Sequence, residues 1–323
     1  MGSLSKCFAV DSEQEQQKKS TVQDILDGRM EKFVLSAVEV ERLMHAEGSP
    51  FKDVSHLLRE LTKNTSNLSL PPISNFRVSS AALGESGAIY VGVNVEFKGM
   101  PLPCSLHAEQ FLILNAYQHG EKSIEKMCIS HLPCGHCRQF MCEMLKSESM
   151  KINIISKEET FSIPELLPHR FTPKDLLGDS AKFLFESIDN NLEWTDEALD
   201  TMGESGEPLM EQMASKAFEE ANASYAQYSN CPSGVCVLDR QNNLYSGCLI
   251  ESAAYNPTVS PLHSALVNGI VKGLEGWDQI KHVVLVEPVG ASVRHDHIIY
   301  QVLHFICPQA QYTVLHVENT ENR

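Results

Sequence analysis

The sequence predicts an α/β protein in which one mixed unit of strands and helices occurs twice, behind a helical N-terminal region. Three observations carry this. Between residues 77 and 156 the apolar patterning runs strand, strand, helix, strand, helix, strand. The same order returns between residues 234 and 316, after a helix over 211–226. Aligning the halves sets Gly92 on Gly247, Glu96 on Glu251, His107 on His263 and Pro133 on Pro288, a shift of 155 or 156 residues each time. A near-constant shift over that distance is the mark of an internal duplication.

The elements follow in order. Residues 1–20 form a polar tail. Residues 21–68 read as helical: Val22, Ile25, Leu26, Phe33, Val34, Ala37, Val38 and Leu43 keep a spacing of three and four, and Asp53 to Leu61 adds a short helix. Pro71 and Pro72 end the region, since proline lacks the N–H donor and clashes with the preceding turn. Arg77–Leu83 and Ala88–Phe97 are strands joined by the turn Gly84-Glu85-Ser86-Gly87. His107–His119 is a helix that stops at Gly120. Ile124–His131 is a strand, Gly135–Lys146 a helix and Lys151–Ser156 a strand. Residues 161–208, with prolines, clustered acids and the run from Thr201 to Pro208, are expected to be a linker of limited structure. In the second half, strands at Gly234–Asp239 and Leu244–Ile250 flank the turn Arg240-Gln-Asn-Asn243. Helices are expected at Pro261–Gly273 and His295–Phe305, and strands at His282–Glu287 and Tyr312–His316. The first unit spans 69–160 and the second 209–323.

Composition narrows the function. The 323 residues carry 26 Lys and Arg against 42 Asp and Glu, for a formal charge of −16. So acidic a chain repels a nucleic-acid backbone, and no nucleic-acid partner is expected. No apolar run approaches the roughly 18 residues that span a bilayer, so no membrane partner is expected. The N-terminus lacks an apolar signal core, which makes the expected compartment the cytoplasm. The ten cysteines therefore read as thiols or metal ligands rather than as disulfides.

Two segments carry chemistry: His107-Ala108-Glu109 and Pro133-Cys134-Gly135-His136-Cys137. Both sit where a helix begins. Cys134 and Cys137 are three residues apart, so one helical turn sets their sulfurs on one face, and a helix N-terminus favours the thiolate. One imidazole and two thiolates make a neutral zinc site with a fourth position left for water, as catalytic zinc requires. Glu109, two residues past His107, is placed to reach that water and to move its proton. Other readings of the same residues are a redox Cys-x-x-Cys pair, which leaves His107 and Glu109 idle, and a closed structural zinc in which Cys104 supplies a fourth ligand. A third is a set of buried thiols around a core histidine.

His107-Ala-Glu109 followed by Pro133-Cys134-x-x-Cys137 resembles the zinc signature of the cytidine deaminase superfamily. Gly92-Val-Asn94-Val-Glu96-Phe97, Pro133-Cys-Gly-His-Cys-Arg-Gln-Phe140, Leu167-Pro-His-Arg-Phe-Thr-Pro-Lys-Asp175 and Ser252-Ala-Ala-Tyr-Asn-Pro257 are similar to its two-domain, homodimeric branch. The resemblance implies duplicated three-layer domains, each a mixed sheet with helices on its faces. It implies zinc-dependent hydrolysis of cytidine and 2′-deoxycytidine to their uridines, in pyrimidine salvage. It assigns one Zn²⁺ per chain to His107, Cys134 and Cys137, and the proton transfers to Glu109. Asn94 and Glu96 would hold ribose hydroxyls, Phe76 would line the pyrimidine pocket, and Phe171 would reach across a homodimer with shared active sites. Hydrogen bonding by an amide and a carboxylate suits sugar hydroxyls, and the carboxylate would repel a 5′-phosphate, so a free nucleoside is the expected substrate.

The second half has lost the chemistry. Ala265 stands opposite Glu109, and Val289 and Ser292 opposite Cys134 and Cys137, leaving His263 alone. It is expected to keep the fold, bind no metal and serve as scaffold and dimer surface. The chain departs from the branch pattern at Ser69-Leu70-Pro71-Pro72, at Arg77 and at Gln227.

Overall fold

A computed structural model describes residues 24–25, 32–205 and 208–319. The polar tail, Cys7, Val22 and Leu26 lie outside the described residues. The first sheet has strand order β1-β3-β2-β4-β5-β6, from Val34–Leu35 (β1), Ser79–Gly84 (β2), Ile89–Val93 (β3), Ile124–Ile129 (β4), Lys151–Ile154 (β5) and Glu159–Phe161 (β6). Only β4 and β5 run parallel; the other pairs are antiparallel. The second sheet has the order β7-β11-β10-β8-β9, from Leu192–Trp194 (β7), Gly234–Asp239 (β8), Leu244–Cys248 (β9), Ile280–Pro288 (β10) and Gln311–Asn319 (β11). Again one pair, β10 and β11, is parallel. Each half is thus a mixed sheet, as expected.

Helices cover both faces. Successive strand residues point to opposite sides, and two neighbours in β2 show it. The Ser79 hydroxyl donates to Thr62 O of helix Val54–Asn64 (α2), which follows Ala37–His45 (α1). The Ser80 hydroxyl donates to Ala108 O of helix Ala108–Gln118 (α3) at 2.9 Å. Between β4 and β5 runs Gly135–Met141 (α4). In the second half, Asp196–Ser205 (α5) leads to Pro208–Asn222 (α6) on one face, and Pro261–Val271 (α7) lies on the other. Asp296–Ile306 (α8) precedes β11. The halves meet through α3 and α7, where Gln118 donates to Ser264 O at 2.7 Å.

The duplication extends to single bridges. Leu70 pairs parallel with Val95, and Tyr225 parallel with Ile250, 155 residues on. Gly92 and Gly247 both lie under the first turn of a helix: a Cβ would stand 2.2 Å from Ala108 O in one and 2.2 Å from Ala265 N in the other. No described helix is long and apolar enough to cross a membrane.

Four expectations change. Val34 and Leu35 are a strand, not helix, paired antiparallel with Tyr90 and Ile89; a two-residue edge strand is too short to leave a period-two pattern. The helix expected over 135–146 ends at Met141, because Glu143 O accepts from Leu184 N and the Glu143 side chain turns into the second half. The strand expected to reach Phe97 ends at Val93. There the Asn94 N–H still donates to Val78 O (3.2 Å), but it is the side chain that accepts from Val78 N (2.8 Å) and donates to Phe76 O (2.9 Å). Finally, the described residues of the expected linker, 161–205, are structured. They hold the short helices Ile163–Leu166 and Pro173–Leu177, strand β7 and helix α5. Ile163 and Leu184 are fully buried. Their wide spacing leaves no periodicity, since each short piece is pinned separately to one of the two domains.

Candidate active site

A cavity of about 280 Å³ lies past the ends of β2 and β3. Asn94 lines it where β3 ends, and so does Glu96. Its Oε2 accepts from the N–H groups of Ile73 and Ser74 at 2.9 Å each, and Oε1 accepts from the Ser74 hydroxyl at 2.5 Å. Burial works to raise the Glu96 carboxyl, but these donors, with His107 nearby, hold it below the usual carboxylate range. Phe76 stands at the rim, 53% exposed, its ring 4.7 Å from that of His131.

The opposite wall belongs to two helix starts. His107 immediately precedes α3, with its N–H on Gln110 Oε1 at 3.2 Å. Cys134 immediately precedes α4 and Cys137 lies in its first turn. Arg138 braces that turn by donating to Pro133 O (2.8 Å) and Leu166 O (2.7 Å). His107 Nδ1 lies 3.4 Å from Cys134 Sγ and 3.3 Å from Cys137 Sγ, and the two sulfurs are 3.7 Å apart. Tetrahedral bonds of about 2.3 Å to sulfur and about 2.05 Å to nitrogen would set these edges near roughly 3.6 and 3.8 Å, so the donor set fits zinc. Among the described residues this is the group of three His, Cys, Asp or Glu side chains that could hold a metal. Cys104 stands outside it, which removes the fourth ligand that a closed structural site would need.

The electrostatics suit a cation. The Cys134 thiol is held down to about 3 by its hydrogen bond with Cys137, against burial and with help from His107. Cys137 is pushed up by that same bond and by burial. His107 is raised, first by its bond to Cys134. Glu109 is 4% exposed and lines the cavity beside His107 and Cys134. Burial lifts its carboxyl above the ordinary range, partly offset by its own backbone N–H and by Cys137.

The cavity thus brings together Phe76, Asn94, Glu96, His107, Glu109 and Cys134. Cys137 completes the ligand cluster from behind. Phe171 is not among the residues lining the cavity; it lies 42% exposed, its carbonyl accepting from Gln139 at 2.6 Å. Sequence reasoning missed Ser74 and His131, both of which line the cavity. His131 carried a signal, since it stands three residues before Cys134 on the return from β4. Ser74 carried none, because its role is the cradle it forms for a residue 22 positions away.

The departures from the branch pattern find structural uses. Arg77 Nη1 donates to Asn67 O at 2.9 Å and Ser69 O at 3.0 Å, tying down the segment that leads to Phe76. The Gln227 amide bonds Lys182 O, Tyr225 Oη and Tyr228 Oη.

Comparison with known proteins agrees with this geometry. The cytidine and deoxycytidylate deaminase zinc-binding region matches twice, over residues 52–151 and 163–299. The second match begins inside the segment expected to be a linker. The chain is 38% identical over 297 residues to cytidine deaminase 1 of Arabidopsis thaliana, covering 88% of this chain and 97% of that one. It is 35% identical over 277 residues to cytidine deaminase 7 of the same plant, covering 80% and 88%. It is 33% identical over 273 residues to the cytidine deaminase of Serratia proteamaculans strain 568, covering 84% and 86%. With two zinc-region matches, relatives aligned over most of their length, and the cluster of one imidazole and two cysteine sulfurs beside a buried acid, the chain belongs to the cytidine deaminase family.

Proposed function

We propose that His107, Cys134 and Cys137 hold one zinc ion per chain and that Glu109 carries the protons in the hydrolytic deamination of cytidine and 2′-deoxycytidine. The observation that carries this is the position of Glu109: off the ligand cluster, buried, and open to the same cavity. Zinc bound there supplies a Lewis acid that makes water nucleophilic near neutral pH. Glu109 takes a proton from the attacking water and passes it to ring N3, which prepares C4 for attack. It then takes the second proton from the hydroxyl added at C4 and delivers it to the departing amine, so that the C4 carbonyl of uridine forms and ammonia leaves. Its raised affinity for a proton fits a group that must both accept and return one.

Recognition follows from the opposite wall. Asn94 and Glu96, fixed by backbone donors and acceptors, present their remaining hydrogen-bonding capacity to the ribose hydroxyls. The Glu96 charge repels a 5′-phosphate, which favours free nucleosides and a salvage role. Phe76 and His131 offer aromatic faces to the pyrimidine. The rim, with Phe76 53% and Leu132 44% exposed, suits closure by a second subunit, and Phe171 is the residue we assign to that contact.

The test is conversion of cytidine followed by ultraviolet absorbance. Glu109→Gln should retain zinc and lose turnover, whereas a variant that deaminates at the wild-type rate would overturn the assignment. Cytidine should be processed and cytidine monophosphate refused; equal rates would remove the role given to Glu96. Mixing inactive Glu109→Gln subunits with Phe171→Ala subunits should raise activity above either alone if the sites are shared.

A further inference from the structure

His263 is the residue of the second half that aligns with His107, and its imidazole is fully engaged. The Ser260 hydroxyl bonds its Nδ1 at 2.7 Å, while the same oxygen accepts the His263 backbone N–H at 3.3 Å. Nε2 faces a carbonyl, which can only accept, so Nε2 carries the hydrogen and Nδ1 accepts from the Ser260 hydroxyl. That N–H points out of its own domain, onto the carbonyl of Cys104 at 2.8 Å. The ring of Phe97 meets the imidazole at 5.5 Å and 71°, and Phe97 in turn packs on Trp277. Burial keeps the imidazole neutral, its pKa pushed down to about 4.

Cys104 matters because of where it leads. It ends the turn Leu102–Cys104 on the loop between Glu96 and His107. Leu102 is 69% exposed, so the outer side of that loop faces solvent. Leu106 is anchored to Val95 at 2.8 Å, and the next residue is His107. The loop thus has one anchor at its end and a second, through Cys104, supplied by the other half. The reciprocal contact also exists: Gln110 of the first half donates to Pro257 O on the equivalent loop of the second, at 3.0 Å. In the first half the imidazole faces two sulfurs, and a nearby amide holds the opposing loop. In the second half, where Val289 and Ser292 replace the sulfurs, the imidazole itself holds the loop.

We infer that His263 is a positioning residue for the deamination site: its Nε2–H···O=C bond to Cys104 fixes the loop that delivers His107 to the cysteine pair. This rests on the reading of His107 as a zinc ligand. It gives the degenerate half a part in the chemistry of the other one, through a single hydrogen bond across the domain boundary.

Zinc-loaded, full-length protein is tested by the rate of zinc release to excess chelator, read with a metal indicator, together with kcat and KM for cytidine. His263→Phe fills the space and cannot donate. It should release zinc about tenfold faster and lower kcat by a similar factor, with KM within about twofold, in the range seen when outer-shell support of a metal site is removed. His263→Gln keeps a donor near Nε2 and should restore both values. Phe97→Leu disturbs the packing of the ring without removing the bond. It should lower thermal stability and leave zinc release unchanged. Wild-type zinc release in His263→Phe, or equal losses in His263→Phe and His263→Gln, would overturn the inference. Should His263→Phe fail to fold, His263→Asn, whose amide is too short to reach the Cys104 carbonyl, should release zinc about tenfold faster, and a wild-type rate would overturn the inference. His107→Ala separates the two levels: if that variant retains its zinc, the metal-site reading itself fails.

Discussion

Glu96 and Glu251 occupy equivalent places in the two halves and do the same local work. Glu96 accepts from the N–H groups of Ile73 and Ser74, and Glu251 from those of Tyr228 and Ser229, each 155 residues on, at 2.9–3.2 Å. Around them the halves diverge. Beside Glu96 lie a cavity, a buried acid and a metal cluster. Opposite these the second half has Ala265, Val289 and Ser292, and its histidine bonds the neighbouring loop. The comparison separates what the fold needs from what the reaction needs. The carboxylate cradle and the two glycines under helix starts are kept in both halves, so they serve architecture first. The cysteine pair and Glu109 occur in one half, which is why we assign them to the reaction.

The difference can be broken at its largest point by Glu109→Gln, expected to reduce turnover by at least about 100-fold with zinc content unchanged by metal analysis. The reverse change, Ala265→Glu, should add neither zinc nor activity, because the second half lacks the sulfurs. Next in size is the join between the halves. Glu143 is fully buried and accepts from Tyr225, Tyr228, Ser252 and the N–H of Ala253, all in the second half. Glu143→Ala should cost about 3 kcal/mol in urea unfolding, since it strands several buried donors at once, and should make the unfolding of the halves less concerted.

Gly92→Ala and Gly247→Ala sharpen the comparison further. Each pushes a Cβ into a helix start, and each should cost about 1–3 kcal/mol of stability. Gly92→Ala should lower kcat the more, because its helix start holds His107 and Glu109, whereas Gly247→Ala reaches the site only through His263. Equal kinetic effects would remove the distinction drawn between the halves.

The smallest effect concerns the hairpin turns. Asp239 is buried at the end of β8 and accepts from Gln241, Asn243 and Tyr245. Burial works against its charge, but these donors hold its carboxyl below the usual range. In the first half the equivalent position is Gly84, and Glu121 fills the space: a Cβ on Gly84 would lie 1.9 Å from its carboxylate, which also accepts from Tyr90. Because the folded form of Asp239 binds its proton less readily than the unfolded one, its contribution is complete above pH about 4 and lost as the pH falls below it. The urea unfolding free energy of the wild type should therefore fall more than that of Asp239→Asn between pH 6 and 3, by about 1 kcal/mol.

Much of this was legible in the chain itself. The two α/β units follow from strand and helix periodicity, which needs only local patterning. The residues of the cluster follow from ligand chemistry at two helix starts, because His107, Cys134 and Cys137 declare themselves by type and spacing. Segments held by distant partners were not legible. The β1 edge strand, the early end of α4 and the order within 161–205 each depend on a contact made far along the chain, and none leaves a period in the sequence.

The sequence alone determined which residues could bind metal and move protons, because those properties belong to side-chain chemistry and to helix geometry within a few residues. Tertiary structure decided where the cavity opens, that Cys104 stands outside the metal cluster, and that His263 holds its loop. Those outcomes depend on which surfaces meet across the sheets and between the halves, and a hydrogen bond between residues about 160 positions apart is set by packing rather than by local sequence.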